Sequence, residues 1–535
     1  MKFTGKILYI LSKPASEELK SELSSIVDEL NRSVLVKGVG RPEHGAKIVG
    51  FSIANGNVLV FNVVCGRRVR IHDAALRARK KLAEVLGRKY RIGIRNIVLE
   101  DVVIELEGEH KVSLKVPYVK NVEVGNGRTL IHLSALEESD IKKPIVDRLI
   151  KLLYEKEQRL LWGGKAEHWY LVKESGVKRK IPPFREDPNK ILEEIGWIKR
   201  FSIGQWIYTP PFTYLLSMIK NIFLSEVVKP LGFQEATFPK MYPLEVGLRT
   251  GHLRGTINSM LFASLPVSYD IAEFEELIDY MYVTNKAPAE EVGKYVKPPS
   301  YFLCFAQCEP FYQFFSKEIL SEESLPIKWF DQAGPSFRWE AGGIYGVERV
   351  IEFHRVEVVW LGLPEQVIDI RNKLLEKYEY FMDKVLDLEW RWAWVTPWYL
   401  EQEGAVVEIK GVEINKPGTI DFEVWLPYKG PREDRKSWLE VGNISIHGTK
   451  FTEPFKIKHS KRKILWTGCS GFGVERWTIA FLAQHGFDPS QWPQKVREYV
   501  KKNPMPESVK AVTYPSTDKG KKKLEEILQY FSKLA

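Results

Sequence analysis

The segment that most constrains this chain is SFRWEAGGIYGVERVIEFHRVEVVW, residues 336–360. It reads as two strands around a glycine-rich loop, Ala341 to Gly346, with Arg338 and Glu340 closing the first strand and Phe353, Arg355 and Glu357 on the second. Arg349 lies near the end of the loop. An antiparallel pair with Arg, Glu and Phe on inward faces suits a nucleotide, because guanidinium groups meet phosphates and an aromatic ring stacks on a base. Salt-bridged hairpins that bind nothing share this composition.

A second segment, WTGCSGFGVERWTIAFLAQHGFDPSQWP, leads from Gly468, Gly471 and Gly473 into Glu475, Arg476 and an apolar helix. The glycines permit close backbone approach, and Arg476 at the helix start can reach an anion. No strand–helix–strand unit with a downstream acid surrounds them, which excludes a dinucleotide fingerprint. At 535 residues the chain exceeds what one core organises. No apolar run approaches the ~20 residues of a bilayer span, and the start MKFTGKILYILSKPASEE lacks a secretory apolar stretch and cleavage site. A cytoplasmic enzyme with no membrane partner is expected. The formal charge of +10 suits a polyanionic partner. Cys65, Cys304, Cys308 and Cys469 are too few for a disulfide scaffold and read as buried thiols or metal ligands.

Four regions follow along the chain. Residues 1–165 alternate strands with short helices: KIVGFSIANGNVLVFNVVCG predicts a hairpin at Asn55-Gly56, where both residues tolerate positive φ, and HDAALRARKKLAEVLG predicts a helix ending at Gly87. Between Arg67 and Arg95 a dense run of basic residues, among them Arg77, Arg79, Lys80 and Lys81, stands against only Asp73 and Glu84. Such a run attracts phosphates through counterion release, or is a solvated helix face. Residues 166–195, with a Pro-Pro pair and mixed charges, read as a linker. Residues 196–505, rich in aromatic and β-branched stretches, suit a mainly antiparallel sheet with helices on it. Residues 506–535 form a basic tail with the pattern of an amphipathic helix.

Taken together, these segments resemble the class II aminoacyl-tRNA synthetases. The FRWE hairpin is similar to their motif 2, GFGVERW to motif 3, and PFTYLLSMIKNIFLSEVVKPLGFQEATFPKM to motif 1, which puts Pro239 at a dimer contact. Within the class the chain most resembles the archaeal-type (type 2) seryl-tRNA synthetases over nearly its whole length, through FAQCEPFY, TIDFEVWLPYKGP, GNISIHG and LWTGCSGFGVERW. It lacks the long heptad run that the ordinary seryl enzymes carry at the N-terminus. The resemblance implies an α+β fold: a class II antiparallel β-sheet catalytic domain flanked by helices, a separate N-terminal α+β tRNA-binding domain, and a homodimer.

It also implies a chemistry. ATP activates L-serine to seryl-adenylate, and serine passes to the 3′ end of tRNA(Ser), with tRNA(Sec) as a further expected substrate. Arg338 and Arg476 are the implied catalytic residues, Arg338 on the α-phosphate and Arg476 beside adenine or the γ-phosphate. Phe353 stacks on adenine, Arg349 and Arg355 meet phosphates, Glu340 reads adenine or serine, and Glu440 binds Mg2+. Serine is held by Glu340, Trp398, Gln402, Asn443 and Ser445, with His252 nearby. One catalytic Zn2+ per subunit is implied on Cys308, Glu357 and Cys469, and three protein ligands leave a position for the α-amino group of serine. Spacing alone does not nominate these three, and on residues alone Cys304 and Cys308 are metal ligands or two buried thiols. The basic N-terminal run, through Arg77, Arg79, Lys80 and Lys81, is expected to grip the long variable arm of the tRNA by shape and phosphate contacts. A threonyl- or prolyl-type enzyme on the same scaffold competes with this reading, but the threonyl zinc set of one cysteine and two histidines does not match. A non-catalytic tRNA-binding paralogue would have lost Arg338 and Arg476. The lysine-rich tail departs from the family pattern and is an extra RNA contact or a packed helix.

Overall fold

In Lys2–Leu11 (β1) the buried side chains Phe3, Ile7, Tyr9 and Leu11 all fall on odd positions, a period of two that fixes a strand with one face on a core. The computed structural model describes residues 1–112, 114–161, 169–176, 184–339, 343–395 and 416–534. The chain divides into two units, Met1–Ala166 and Glu167–Ala535. In the first, β1 joins β2 (Ala46–Ala54), β3 (Val58–Cys65), β4 (Ile94–Glu107), β5 (Val119–Gly125) and β6 (Arg128–Leu133) in the antiparallel order β2-β3-β1-β4-β6-β5, and β7 (Leu136–Glu137) pairs with β4. Helices α1 (Glu17–Glu29) and α2 (Ile71–Val85) bury their apolar stripes in the same core.

The expected hairpin is present, with Asn55 at φ 50° and Gly56 at φ 74°. The expected helix end at Gly87 is not. A wider helical turn, Leu86–Tyr90, carries the chain on to Arg91, which stops it at φ 54°. Leu86 and Tyr90 are both buried, so apolar burial across the extra turn outweighs the stop signal of a glycine whose added Cβ would meet nothing.

The second unit is built on nine strands: β8 (Trp169–Glu174), β9 (Gln234–Glu235), β10 (Ile327–Asp331), β11 (Pro335–Phe337), β12 (Glu352–Gly362), β13 (Trp390–Val395), β14 (Gly418–Trp425), β15 (Trp438–Gly448) and β16 (Trp466–Gly473). Their order is β9-β10-β12-β16-β15-β14-β13-β8, with β11 on β12; β9 runs parallel to β10 and every other pair is antiparallel. β8, and a helix at Pro188–Glu194, come from the stretch that reads as a linker in sequence.

Three long helices cover the sheet: α3 (Pro210–Phe223), α4 (Pro364–Tyr380) and α5 (Val474–His485). Phe223 of α3 stacks on Phe472 of β16 with centroids 3.9 Å apart, a contact worth about 0.5–1.5 kcal/mol beyond its area. The glycines of β16 serve the packing. A Cβ on Gly468 would lie 2.3 Å from the Trp360 ring, and one on Gly442 of β15 would lie 2.4 Å from the Gly471 carbonyl oxygen. The basic tail forms α6 (Asp518–Leu534), whose Leu524, Ile527 and Phe531 are buried in the main core, Phe531 against Trp197 and Trp492. Its apolar stripe is thus that of a packed terminal helix. Among the described residues no helix is long and apolar enough to cross a membrane.

Candidate active site and metal centre

Alternation along β12 puts Phe353, Arg355 and Glu357 on one face of the sheet. Residues paired directly across strands share a face, so register extends the set: Asp331 lies opposite Glu357 on β10, Gly473 opposite Arg355 and Gly471 opposite Glu357 on β16, and Asn443 opposite Gly471 on β15. Cys469, two residues before Gly471, falls on that face too, with Ser445 opposite it. One face therefore collects residues scattered over some 140 positions of sequence, by a count from Asp331 to Gly473.

At one end of this face is a concave pocket lined by Arg338, Phe353, Arg355, Glu440, Asn443 and Arg476, among others. Arg338 continues from β11, its backbone N–H donating to the Ile351 carbonyl at 2.8 Å, and its guanidinium lies 4.6 Å from the Phe305 ring centre. Arg476 stands in the first turn of α5. Its Nε donates to the Glu348 carbonyl at 3.0 Å, and Nη1 donates to the Glu440 carbonyl at 3.0 Å and reaches the Glu440 carboxylate at 3.4 Å. Three cations and an aromatic ring around a concave space form an anion and base receptor. Arg349 is not part of the lining; it closes the hairpin tip, exchanging 3.0 Å backbone hydrogen bonds with Tyr345.

Sequence reasoning missed what holds this cavity in place. Buried Glu348 accepts hydrogen bonds from Asn189 Nδ2 at 2.9 Å and the Tyr428 hydroxyl at 2.8 Å, and pairs with Lys429 at 3.0 Å. Asn189 in turn accepts from the Val347 N–H at 2.9 Å. Buried Glu475 accepts from the His354 backbone N–H at 2.9 Å and ring at 2.7 Å, and this contact raises the His354 pKa above its ordinary 6.5. The run of acid, basic and aromatic residues in VERVIEFHR was the only signal available.

At the other end of the face Cys308, Glu357 and Cys469 converge, their two sulfurs and a carboxylate oxygen all within 4.8 Å of one another. Cys308 caps the helix Glu309–Phe314, while Glu357 and Cys469 come from adjacent strands. Cys308 and Glu357 are buried and Cys469 is half-buried. Cys304 stands apart, accepting from the Tyr242 hydroxyl at 2.9 Å. Burial pushes the Glu357 carboxyl above the usual carboxylate range despite Arg355, whose Nε is 3.2 Å from Oε2. The hydrogen bond that the protonated Cys469 thiol donates to the neighbouring Cys308 side chain, with burial, holds that thiol well above its usual range. Apart from that ion pair, buried Glu357 Oε2 finds no aligned hydrogen-bond donor among the described residues. Glu357 and Cys469 are thus both biased toward their protonated forms, which a bound cation would reverse, and two sulfurs with one carboxylate are a donor set that zinc favours at about 2.0–2.3 Å. The residues fit that ion.

His447 backs the set. Burial lowers its pKa to about 3, leaving a neutral ring with Nε2 3.5 Å from Cys469 Sγ and Nδ1 3.0 Å from the Thr467 hydroxyl. His252 is buried with Nδ1 2.6 Å from Glu309 Oε1, directly after Cys308. Ser445 shares a 2.7 Å hydrogen bond with Thr419 and Asn443 lines the cavity. Glu340, Trp398 and Gln402 lie outside the described residues. Pro239 is exposed in the loop after β9.

In the first unit, acids remote in sequence come to the basic run. Arg79 pairs with Glu138 at 2.6 Å, Lys81 with Glu29 at 2.8 Å and Arg70 with Asp147 at 2.5 Å, while Lys89 pairs with Glu22. Arg77 donates to the Lys37 carbonyl at 2.9 Å. Lys80 is exposed, as are Arg67, Arg68, Arg91 and Arg95.

A largely antiparallel sheet bearing this cavity, with residues 296–485 matching the tRNA synthetase class II core domain (G, H, P, S and T), defines a class II aminoacyl-tRNA synthetase. Residues 1–155 match a tRNA-binding domain family. The type-2 serine–tRNA ligase of Methanococcoides burtonii is 41% identical over 90% of this chain and 94% of its own length, and that of Methanocaldococcus jannaschii is 37% identical over 96% and 98%. The solved structure of M. kandleri SerRS in complex with A. aeolicus tRNASec matches with a TM-score of 0.76 at 34% identity, covering 94% of this chain and 97% of that one. The chain belongs to the type-2 serine–tRNA ligase family.

Proposed function

We propose that this enzyme activates L-serine with ATP and transfers it to tRNA(Ser) and tRNA(Sec), as a cytoplasmic homodimer whose amino-acid site is a zinc centre. The observation that carries the reading is the adjacency, on one sheet face, of a cation-lined cavity and a buried Cys308–Glu357–Cys469 set, joined by Arg355. In the first step the serine carboxylate attacks the α-phosphate of ATP and pyrophosphate leaves. Arg338 meets the α-phosphate oxygens, where negative charge builds, and Arg476 holds the far side of the nucleotide. Fixed cations in a concave site stabilise that charge without reorganising. Phe353 stacks on adenine, Arg349 meets the outer phosphates, and Glu440 takes the Mg2+ that travels with ATP.

Cys308, Glu357 and Cys469 would hold the zinc, which supplies an electrophilic position for the neutral amine of serine. Arg355, between the halves, orients the serine carboxylate toward the phosphate; proximity of this kind is itself worth several kcal/mol. Asn443 and Ser445, with Glu340, Trp398 and Gln402, complete the serine pocket. A pocket that hydrogen-bonds the serine hydroxyl rejects alanine strongly and threonine's methyl only modestly. Arg77, Arg79, Lys80 and Lys81 present the first unit to tRNA phosphates, and Pro239 lies at the subunit contact. The relative solved with tRNASec supports the second tRNA substrate. Pyrophosphate exchange measured across serine, threonine, proline and alanine tests the assignment: exchange with serine alone is expected, and exchange with threonine but not serine rejects it.

A further inference from the structure

Behind Arg355 and Glu357 runs a chain of buried polar side chains, Ser336, Gln307 and Asp331, that no step above uses. Arg355 Nη2 donates to the Ser336 hydroxyl at 3.2 Å, the Ser336 hydroxyl donates to Gln307 Oε1 at 3.3 Å, and Gln307 Nε2 donates to the Asp331 carboxylate at 2.8 Å and to its backbone carbonyl at 3.1 Å. Lys240 closes the far end with an ion pair to Asp331. Ser336, Gln307 and Asp331 are each 0% exposed.

Such a chain is costly unless something needs it, because apolar residues of the same volume fill a core at no desolvation penalty. The need is visible in the register. Asp331 lies directly opposite Glu357, and two carboxylates facing each other across strands compete for the same cation. Arg355 is within reach of Glu357 at 3.2 Å. Lys240 satisfies Asp331 from the other side, and Gln307 and Ser336 stand between Asp331 and Arg355. Every donor between Arg355 and Asp331 points the same way, so each bond polarises the next. Gln307 also immediately precedes Cys308. The chain therefore fixes the segments carrying two of the three ligands.

We infer that Asp331, Gln307 and Ser336 are positioning residues that allocate Lys240 to Asp331 and Arg355 to Glu357, and so hold Glu357 and Cys308 in place for a divalent metal. The inference rests on reading Cys308, Glu357 and Cys469 as metal ligands. Partners that orient ligands typically change metal affinity by about 10- to 100-fold when lost.

The test uses the full-length protein as Ser336→Ala and Gln307→Met, both close in volume to the parent, with Ser336→Thr as the conservative rescue. Zinc release to a chromogenic chelator, serine KM in pyrophosphate exchange, and ATP binding without serine are measured. Ser336→Ala and Gln307→Met should release zinc about 10- to 100-fold faster and raise serine KM by a similar factor, with ATP binding unchanged and Ser336→Thr close to the parent. Zinc release and serine KM within twofold of the parent would overturn the inference, as would ATP binding that weakens in parallel, which marks a general folding role. A parent protein that holds no zinc defeats the underlying reading instead, so the two failures are told apart.

Discussion

The two ends of one sheet face are built on opposite principles. The nucleotide end is open, rich in cations and drawn largely from two segments, 338–355 and 471–476, with Glu440 to Asn443 added from β15. The metal end is buried, rich in acids and assembled from three remote ones. The contrast follows from what each would meet. ATP brings its own negative charge, so fixed arginines suffice. Serine's amine is neutral when it binds a metal, so that end needs a cation of its own and anionic side chains to hold it. Arg355 belongs to both ends, lining the cavity while it pairs with Glu357.

If the ends are separable, substitutions should divide cleanly. Cys308→Ala or Cys469→Ala should lower serine-dependent pyrophosphate exchange by about 10³-fold or more, equivalent to ~4 kcal/mol in the barrier, with bound zinc lost and ATP affinity kept. A parallel loss of ATP affinity would merge the two ends. Arg476→Ala should do the reverse, lowering kcat of exchange by about 10²- to 10³-fold while zinc content, measured by elemental analysis, stays at the parent value.

Smaller effects sharpen the picture beyond the site. Lys80 is exposed, whereas Lys81 is paired with Glu29, so Lys80→Ala should raise the KM for tRNA several-fold, more than Lys81→Ala, with exchange untouched in both. Equal effects in aminoacylation assays would mean that the ion pairs do not sort this surface. The smallest effect concerns His354. Glu475 raises its folded pKa above 6.5, so the pair's stabilisation is complete below about pH 6.5 and fades as pH rises through the folded value. The ring is half-exposed, which limits the contribution to about 1 kcal/mol or less. His354→Gln should flatten that portion of the thermal-stability profile against pH.

The same contrast decided what could be read from sequence. Phe353, Arg355 and Glu357 share a face by simple alternation, and Asn55-Gly56 makes its turn by conformational preference alone; both are local and legible. Cys469 meets Glu357 only through strand register, and Cys308 arrives from a loop, so only family resemblance nominated them together. Glu138, Glu29, Asp147 and Glu22 reach the basic run from far along the chain, which is why a segment scan overstated its free charge. The stop at Gly87 failed because Leu86 and Tyr90 are buried, a tertiary fact. β8 was hidden because Trp169–Glu174, buried on neither face as a run, has the composition of a connector.

The central claim is that the amino-acid end depends on a metal and the nucleotide end does not. The direct measurement is serine-dependent pyrophosphate exchange in protein stripped of metal, alongside ATP affinity by calorimetry, then again after one equivalent of zinc is returned. Exchange should vanish and recover with zinc while ATP affinity stays constant; full exchange in zinc-free protein would contradict the account.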